Sequence, residues 1–342
     1  MATYLNINEF LSASKDLPVL DVRSPAEFRQ GHIPGAISFP LFSDEERKEV
    51  GILYNQRGRR KAVLKGLEII GPRLHNYADK AWDLSRKGKL LMHCWRGGMR
   101  SSSMAWLLET AGMDVNLLES GYKSYRMAFH NLISLPWHFM VLGGKTGSGK
   151  TYILNELNNL NEQVIDLEGL ANHKGSAFGW LGEEEQPTTE QFQNELFEIL
   201  RKMTVENRVW LEDESMNIGK VILPEDFWAK LRTGSLLVIE IPEEDRLDHL
   251  VNSYSAYHKE DLLASFNKIK KKLGGNNIKR VAELLQSGDF RQAATIALQH
   301  YDKAYAFGLA NKEALQIIKI KFRHLQPHSN AMQLIELSKN LK

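Results

Sequence analysis

The run Gly144-Lys145-Thr146-Gly147-Ser148-Gly149-Lys150-Thr151 lies between an apolar stretch, Trp137–Leu142, and an amphipathic one, Tyr152–Leu160. The first reads as a buried strand and the second as a helix, so the glycines form a tight turn from strand to helix. Such a turn constrains the fold strongly. Its backbone N–H groups close around an anion at a helix N-terminus, and the buried strand before it implies a parallel sheet covered by helices. The backbone of Gly144, Gly147, Ser148 and Gly149 is expected to cradle a diphosphate. Lys150 would neutralise its charge, and the Thr151 hydroxyl would hold Mg²⁺. A second strand ends in Glu212-Asp213-Glu214; Asp213 is the first expectation for the carboxylate that holds the metal and Glu212 the second. No guanine-reading Asn/Thr-Lys-x-Asp sequence follows, which disfavours a GTPase. ATP, another nucleotide and a prenyl diphosphate present the same oxygens and remain open.

The chain has one cysteine, Cys94, which excludes an internal disulfide framework and multi-cysteine metal sites. Cys94 follows the apolar strand Lys89–His93 and opens Cys94-Trp95-Arg96-Gly97-Gly98-Met99-Arg100, with Ser101 starting a helix. Gly97 and Gly98 let successive N–H groups turn inward, and the helix N-terminus adds its positive end. The loop reads as an anion socket with a sulfur at its base, where Arg100 and the backbone donors would favour the thiolate. With no second thiol, any group loaded on Cys94 must pass to a bound acceptor or to another protein. Carrying a chalcogen atom and cleaving a phosphoester through a phosphocysteine both fit these residues.

Three hundred and forty-two residues exceed what one core usually holds. Strands at Leu17–Val22, Lys89–His93 and Asp114–Leu118 give a first α/β domain, residues 1–134, before the pattern restarts at Leu135-Pro136. A phosphate-loop α/β domain, residues 135–257, adds strands at Gln163–Leu167, Arg208–Leu211 and Ser235–Ile241. A mainly helical region, residues 258–342, completes the chain. The overall charge of +2 conceals an uneven distribution, with net charges of +5, −11 and +8 in those three segments. Basic ends around an acidic middle suggest a polyanion held at long range. Lys268, Lys270, Lys271, Lys272, Lys279 and Arg280 form the densest cluster, with Tyr254, Tyr257 and Phe266 nearby to stack on bases. Arg57, Arg59, Arg60 and Lys61 form a second cluster. No apolar run is long enough for a membrane span, and Met1 to Leu11 lacks the pattern of a signal peptide, so a cytoplasmic protein is expected.

Asp21-Val22-Arg23-Ser24-Pro25-Ala26-Glu27-Phe28 and Gly31-His32-Ile33-Pro34-Gly35-Ala36 resemble the rhodanese homology domain ahead of its catalytic cysteine. The loop from Cys94 to Arg100 is one residue longer than in ordinary rhodaneses and has the spacing of phosphatases that share the fold. More specifically, the chain resembles the tRNA 2-selenouridine synthase family, a rhodanese domain fused to a phosphate-loop domain. The carrying residues are the Cys94–Ser101 loop, Glu46-Arg47, Val50-Gly51, Gly121-Tyr122-Lys123 and the phosphate loop, together with the stretch from Asp166 to Gly179 and Glu212-Asp213-Glu214-Ser215 with Ile218-Gly219. Where the family often has Gly-Gly-Tyr-Lys, this chain has Ser120-Gly121-Tyr122-Lys123.

The resemblance implies exchange of sulfur for selenium at C2 of wobble 2-thiouridine in tRNA. Selenophosphate would be the selenium donor and geranyl diphosphate the alkylating substrate, with no tightly bound cofactor and with Mg²⁺ as the metal the phosphate loop could take. It also implies tRNA and a selenophosphate-producing enzyme as partners. A two-domain phosphatase or kinase acting on small phosphorylated molecules is the alternative, and a non-catalytic rhodanese module a third.

Overall fold

The computed structural model describes every residue except Met1, Glu313, Leu315, Asn340 and Lys342. The chain forms two units, residues 1–132 and 133–342. In the first, β1 (Thr3–Leu5), β2 (Val19–Asp21), β3 (Ile37–Ser38), β4 (Lys89–His93) and β5 (Asp114–Leu118) make a parallel sheet in the order β1-β5-β4-β2-β3. Leu90, Leu91 and Met92 of the central strand are fully buried, as a strand covered on both faces must be. The helix Met99–Thr110 returns across the sheet and buries Met104, Ala105 and Leu108 against Leu20, Leu90 and Met92. Cys94 therefore leaves the C-terminal end of a central strand, where parallel sheets open their binding crevices.

In the second unit, β6 (His138–Gly144), β7 (Gln163–Ile165), β8 (Arg208–Glu212), β11 (Ser235–Glu240) and β12 (Gln316–Lys321) form a parallel sheet in the order β12-β11-β6-β8-β7. A small antiparallel pair, β9 (Asn217–Ile218) and β10 (Val221–Ile222), lies apart from it. The phosphate loop leaves the central strand β6, with the end of β8 beside it: Leu142 is in register with Glu212.

Residues 258–342 belong to this same unit rather than standing alone. The helices between β11 and β12 pack on one another, burying Leu262, Phe266, Val281, Leu285 and Ala293 around Phe178. β12 then pairs along its full length with β11, and the helix Pro327–Ser338 shares a core with the phosphate-loop helix Lys150–Asn159 through Ala331, Leu334, Ile153, Leu154 and Leu157. This strand lay inside the region expected to be mainly helical. Its alternating lysines mark the exposed edge of the sheet, where charge discourages pairing with another chain.

Candidate functional site

Cys94 is 3% exposed at the floor of its loop, with Sγ 3.2 Å from the Ser101 hydroxyl. Gly97 has φ +62°, and a Cβ there would stand 3.0 Å from the Ser120 nitrogen. Gly121, at φ +61°, lies so close beneath the loop that a Cβ would fall on the Cys94 carbonyl oxygen. The Tyr122 and Lys123 N–H groups donate to the Cys94 and Trp95 carbonyls at 2.8 and 3.0 Å. Behind the loop, Arg23 is buried in an ion pair with Asp21 at 2.6 Å, donates to the Gly31 carbonyl and stacks 3.9 Å from the Tyr122 ring centroid. The Asp21-Val22-Arg23 motif thus fixes the loop's support rather than facing a ligand.

Arg100 departs from expectation. Its guanidinium engages Glu27 at 2.6 and 3.3 Å instead of the sulfur. Burial alone would raise the Glu27 carboxyl, but hydrogen bonding and charge from Arg100 outweigh it and hold the group below the usual carboxylate range. A charged carboxylate is a stronger partner than a thiol. An anion at Cys94 would meet the loop's own N–H groups, with Gly98 opening the helix Met99–Thr110.

In the second unit the phosphate loop carries Gly147 at φ +80° and Gly149 at φ +70°. Lys150 Nζ lies 3.4 Å from the Gly144 carbonyl, and the buried Ser148 hydroxyl has no hydrogen-bond partner among the described residues. Arg246, which the sequence did not single out, braces the loop by donating to the Thr146 carbonyl at 3.1 Å while pairing with Asp302 at 2.8 Å. The loop opens on a cleft of about 1050 Å³.

The carboxylate on Thr151 is Glu212, whose Oε1 accepts from the Thr151 hydroxyl at 2.8 Å. Asp213, first expected in that place, is turned instead to the Lys312 ammonium. Glu168, Glu212 and Glu214 bring oxygens within 4.8 Å of one another. Glu168 was not among the expected ligands. Burial and then repulsion from Glu214 raise Glu168 above the ordinary carboxylate range, and burial and then repulsion from Glu168 do the same to Glu212. Burial and the neighbouring Glu212 push Glu214 to about 7. Three carboxylates and a hydroxyl make an all-oxygen donor set suited to Mg²⁺, and the buried Glu212 Oε2 has no hydrogen-bond partner among the described residues. Glu168, Glu212, Glu214 and Thr151 are therefore the residues that would hold a divalent cation.

Linkage gives the sign of the pH dependence. An acid whose pKa is raised on folding contributes stability that is complete below its unfolded value and lost as pH climbs through its folded value; for Glu214 that window runs from 4.5 to about 7. A cation that replaces the protons cancels the loss. Millimolar Mg²⁺ should raise the melting temperature at pH 8 by about 3–6 °C and hardly change it at pH 5. Equal shifts at both pH values in thermal melts would reject this site.

A model of the tRNA 2-selenouridine synthase AAA domain matches residues 137–326, and one of the rhodanese-like domain matches residues 7–128. A tRNA 2-selenouridine synthase of Marinobacter nauticus is 32% identical, over 92% of this chain and 93% of its own. One from a Sulfurovum species is 35% identical, over 86% of this chain and 85% of its own. The chain belongs to the tRNA 2-selenouridine synthase family. Among solved structures, a rhodanese-related protein from Thermoplasma volcanium is 22% identical over 37% of this chain and 92% of its own, with a TM-score of 0.25.

Against the Gly-Gly-Tyr-Lys often found in tRNA 2-selenouridine synthases, Ser120 now has a physical reading. It adopts φ +58°, a left-handed conformation that suits glycine and strains serine. Ser120→Gly should stabilise the first unit by about 0.5–1 kcal/mol, the relief of strain exceeding glycine's entropic cost. The check is the denaturant midpoint at which Cys94, the sole thiol, becomes reactive. An unchanged or lower midpoint would show the turn to be unstrained.

The basic residues expected to meet the tRNA of such a synthase, Lys268, Lys270, Lys271, Lys272, Lys279 and Arg280, are all exposed. They sit on the helices Lys259–Lys268, Lys270–Leu273 and Gly275–Ser287. Lys268 also lies over the Trp180 ring, 4.7 Å from its centroid. The expected aromatic companions differ. Phe266 is 3% exposed in the helical core, and Tyr254 and Tyr257 line the phosphate-loop cleft. Base stacking by Phe266 is excluded by its burial. Arg57, Arg59, Arg60 and Lys61 are exposed on the first unit. Among the described residues no helix is long and apolar enough to cross a membrane.

Proposed function

We propose that this chain replaces the C2 sulfur of wobble 2-thiouridine in tRNA by selenium from selenophosphate, through an S-geranylated intermediate made from geranyl diphosphate. What supports the reading above all is one observation: family membership over nine-tenths of the chain joins a cysteine at the floor of a glycine-containing loop to a phosphate-loop motif beside three clustered carboxylates.

In the first step the thiocarbonyl sulfur attacks the allylic carbon of geranyl diphosphate. The carbon–oxygen bond breaks, and pyrophosphate leaves with the electron pair. The loop N–H groups and Lys150 hold the developing charge. A cation held by Thr151 and Glu212 would supply further charge neutralisation. Alkylation turns a poor leaving group into a good one. In the second step, the selenium of selenophosphate, positioned at the Cys94 loop, adds at C2; the carbon–sulfur bond breaks to release geranylthiol, and water then cleaves the selenium–phosphorus bond to release phosphate. The exposed lysines of residues 268–280 hold the tRNA backbone, whose phosphates reward clustered positive charge. The reaction is placed in the cytoplasm, with a selenophosphate-producing enzyme as supplier.

Mass spectrometry of wobble nucleosides tests the reading. In tRNA from a strain lacking the gene and grown with selenite, 2-selenouridine should be absent and 2-thiouridine should accumulate; the restored gene should reverse both. Selenouridine persisting without the gene would overturn the assignment.

A further inference from the structure

The phosphate-loop cleft does not end at polar walls. Next to it lies a second cavity of about 70 Å³ whose sides are hydrocarbon: Leu250, Phe178, Leu262, Phe266, Ala293 and Ala297. Thr146 of the phosphate loop, Tyr254 and Tyr301 line both spaces, so the apolar cavity begins where the diphosphate cradle stops. Leu250 stands directly against the loop, and a Cβ on Gly147 would lie 3.1 Å from its Cγ.

Small residues keep the space open. The helix Phe290–Ala310 turns Ala293, Ala294 and Ala297 toward it, opposite the edge-to-face pair of Phe178 and Phe266, whose centroids are 4.9 Å apart. A leucine at any of the three would fill the gap. Empty apolar space inside a helical core costs stability, because the lining atoms lose packing partners. A ligand carrying its own hydrocarbon would restore them.

We propose that this cavity receives the tail of an isoprenoid diphosphate whose head lies in the phosphate loop, and that its depth limits the length of chain the site accepts. The inference rests on the alkyl-diphosphate reading above and adds where the tail goes. The occupant follows from continuity: an anionic cradle that opens into a hydrocarbon cavity fits one amphiphile with a diphosphate at one end. At roughly 10–15 Å³ per water position, the cavity holds about five to seven heavy atoms, one isoprene unit. The unit next to the diphosphate would then lie in the cleft, between Tyr254 and Tyr301, where the reacting carbon stays open to attack. A tail of two units fits, and a third has no room.

The test titrates the full-length protein, with Mg²⁺, against inorganic pyrophosphate and the dimethylallyl, geranyl and farnesyl diphosphates. Affinity should rise about 30-fold or more from pyrophosphate to geranyl diphosphate and gain nothing further with farnesyl diphosphate. Ala297→Phe should weaken geranyl diphosphate by at least about tenfold while leaving pyrophosphate within about twofold. Ala293→Leu, a milder filling, should act in the same direction, and retained pyrophosphate binding shows that either variant is folded.

The outcomes separate the two claims. Should the unmodified protein bind geranyl diphosphate no better than pyrophosphate, the alkyl-diphosphate reading itself falls. If that preference exists but survives in both filled variants, the tail lies elsewhere and only this inference is overturned. Continued gain with farnesyl diphosphate would refute the limit on chain length.

Discussion

Cys94→Ala should abolish selenium incorporation into tRNA, by at least about 10³-fold, while alkylation of the wobble sulfur stays within about twofold of the parent. The asymmetry follows from the chemistry each step requires. Displacing pyrophosphate from an allylic carbon needs a place for the diphosphate and no thiol. Exchange at C2 needs selenium delivered at an anion-binding loop, and Cys94 is the only thiol the chain has. The substitution is mild for the fold. It removes a sulfur whose polar contacts include the Ser101 hydroxyl and, at 3.9 Å, the Gly98 carbonyl, and the bonds from Tyr122 and Lys123 that pin the loop run to backbone carbonyls, which alanine retains. Mass spectrometry resolves the two products in a single reaction. Equal loss of both activities in a folded variant would reject this division of labour.

Lys150→Ala should slow alkylation by about 10²–10³-fold and weaken pyrophosphate binding, because a fixed cation beside the leaving group is lost where charge develops. A companion pair of variants distinguishes the carboxylates. Glu212→Gln should raise the Mg²⁺ concentration needed for alkylation by about tenfold or more, since it removes charge from the group that accepts the Thr151 hydrogen bond. Asp213→Asn should leave the Mg²⁺ requirement nearly unchanged, because Asp213 pairs with Lys312. Steady-state alkylation across a Mg²⁺ titration is the measurement. The reverse order of effects would restore Asp213 to the metal and remove Glu212 from it.

The strands Lys89–His93 and Asp114–Leu118 are legible to the residue, because strands enclosed by helices carry mostly apolar sequence bounded by charge and turns. The two loops were legible for a related reason: glycines at strand-to-helix turns have few uses besides bringing backbone donors close to an anion. β12 was not read, since an edge strand of alternating isoleucine and lysine satisfies helical composition as well. Strand parity distinguishes Glu212 from Asp213. Trp210 packs in the core with Ile153 and Leu154 of the helix that carries Thr151, and Glu212, two residues on, must point to the same side of the strand. Glu168, Arg246 and Asp302 gave no local signal. Each acquires its role only when segments tens of residues apart are folded together, and a single sequence carries no record of that meeting.

The lateness of β12 in the chain orders the birth of the two sites. The first unit closes within residues 1–132 and is able to fold as soon as it emerges from the ribosome, at about 5–20 residues per second. The phosphate-loop helix has no such freedom, because its outer face waits for Ala331 and Leu334, and a Cβ on Gly149 would meet Leu325. A nascent chain thus carries a finished cysteine loop for many seconds beside a half-built sheet whose β11 edge is still bare. During synthesis that edge, not either glycine-bearing loop, is where the protein is most open to mispairing and to chaperones.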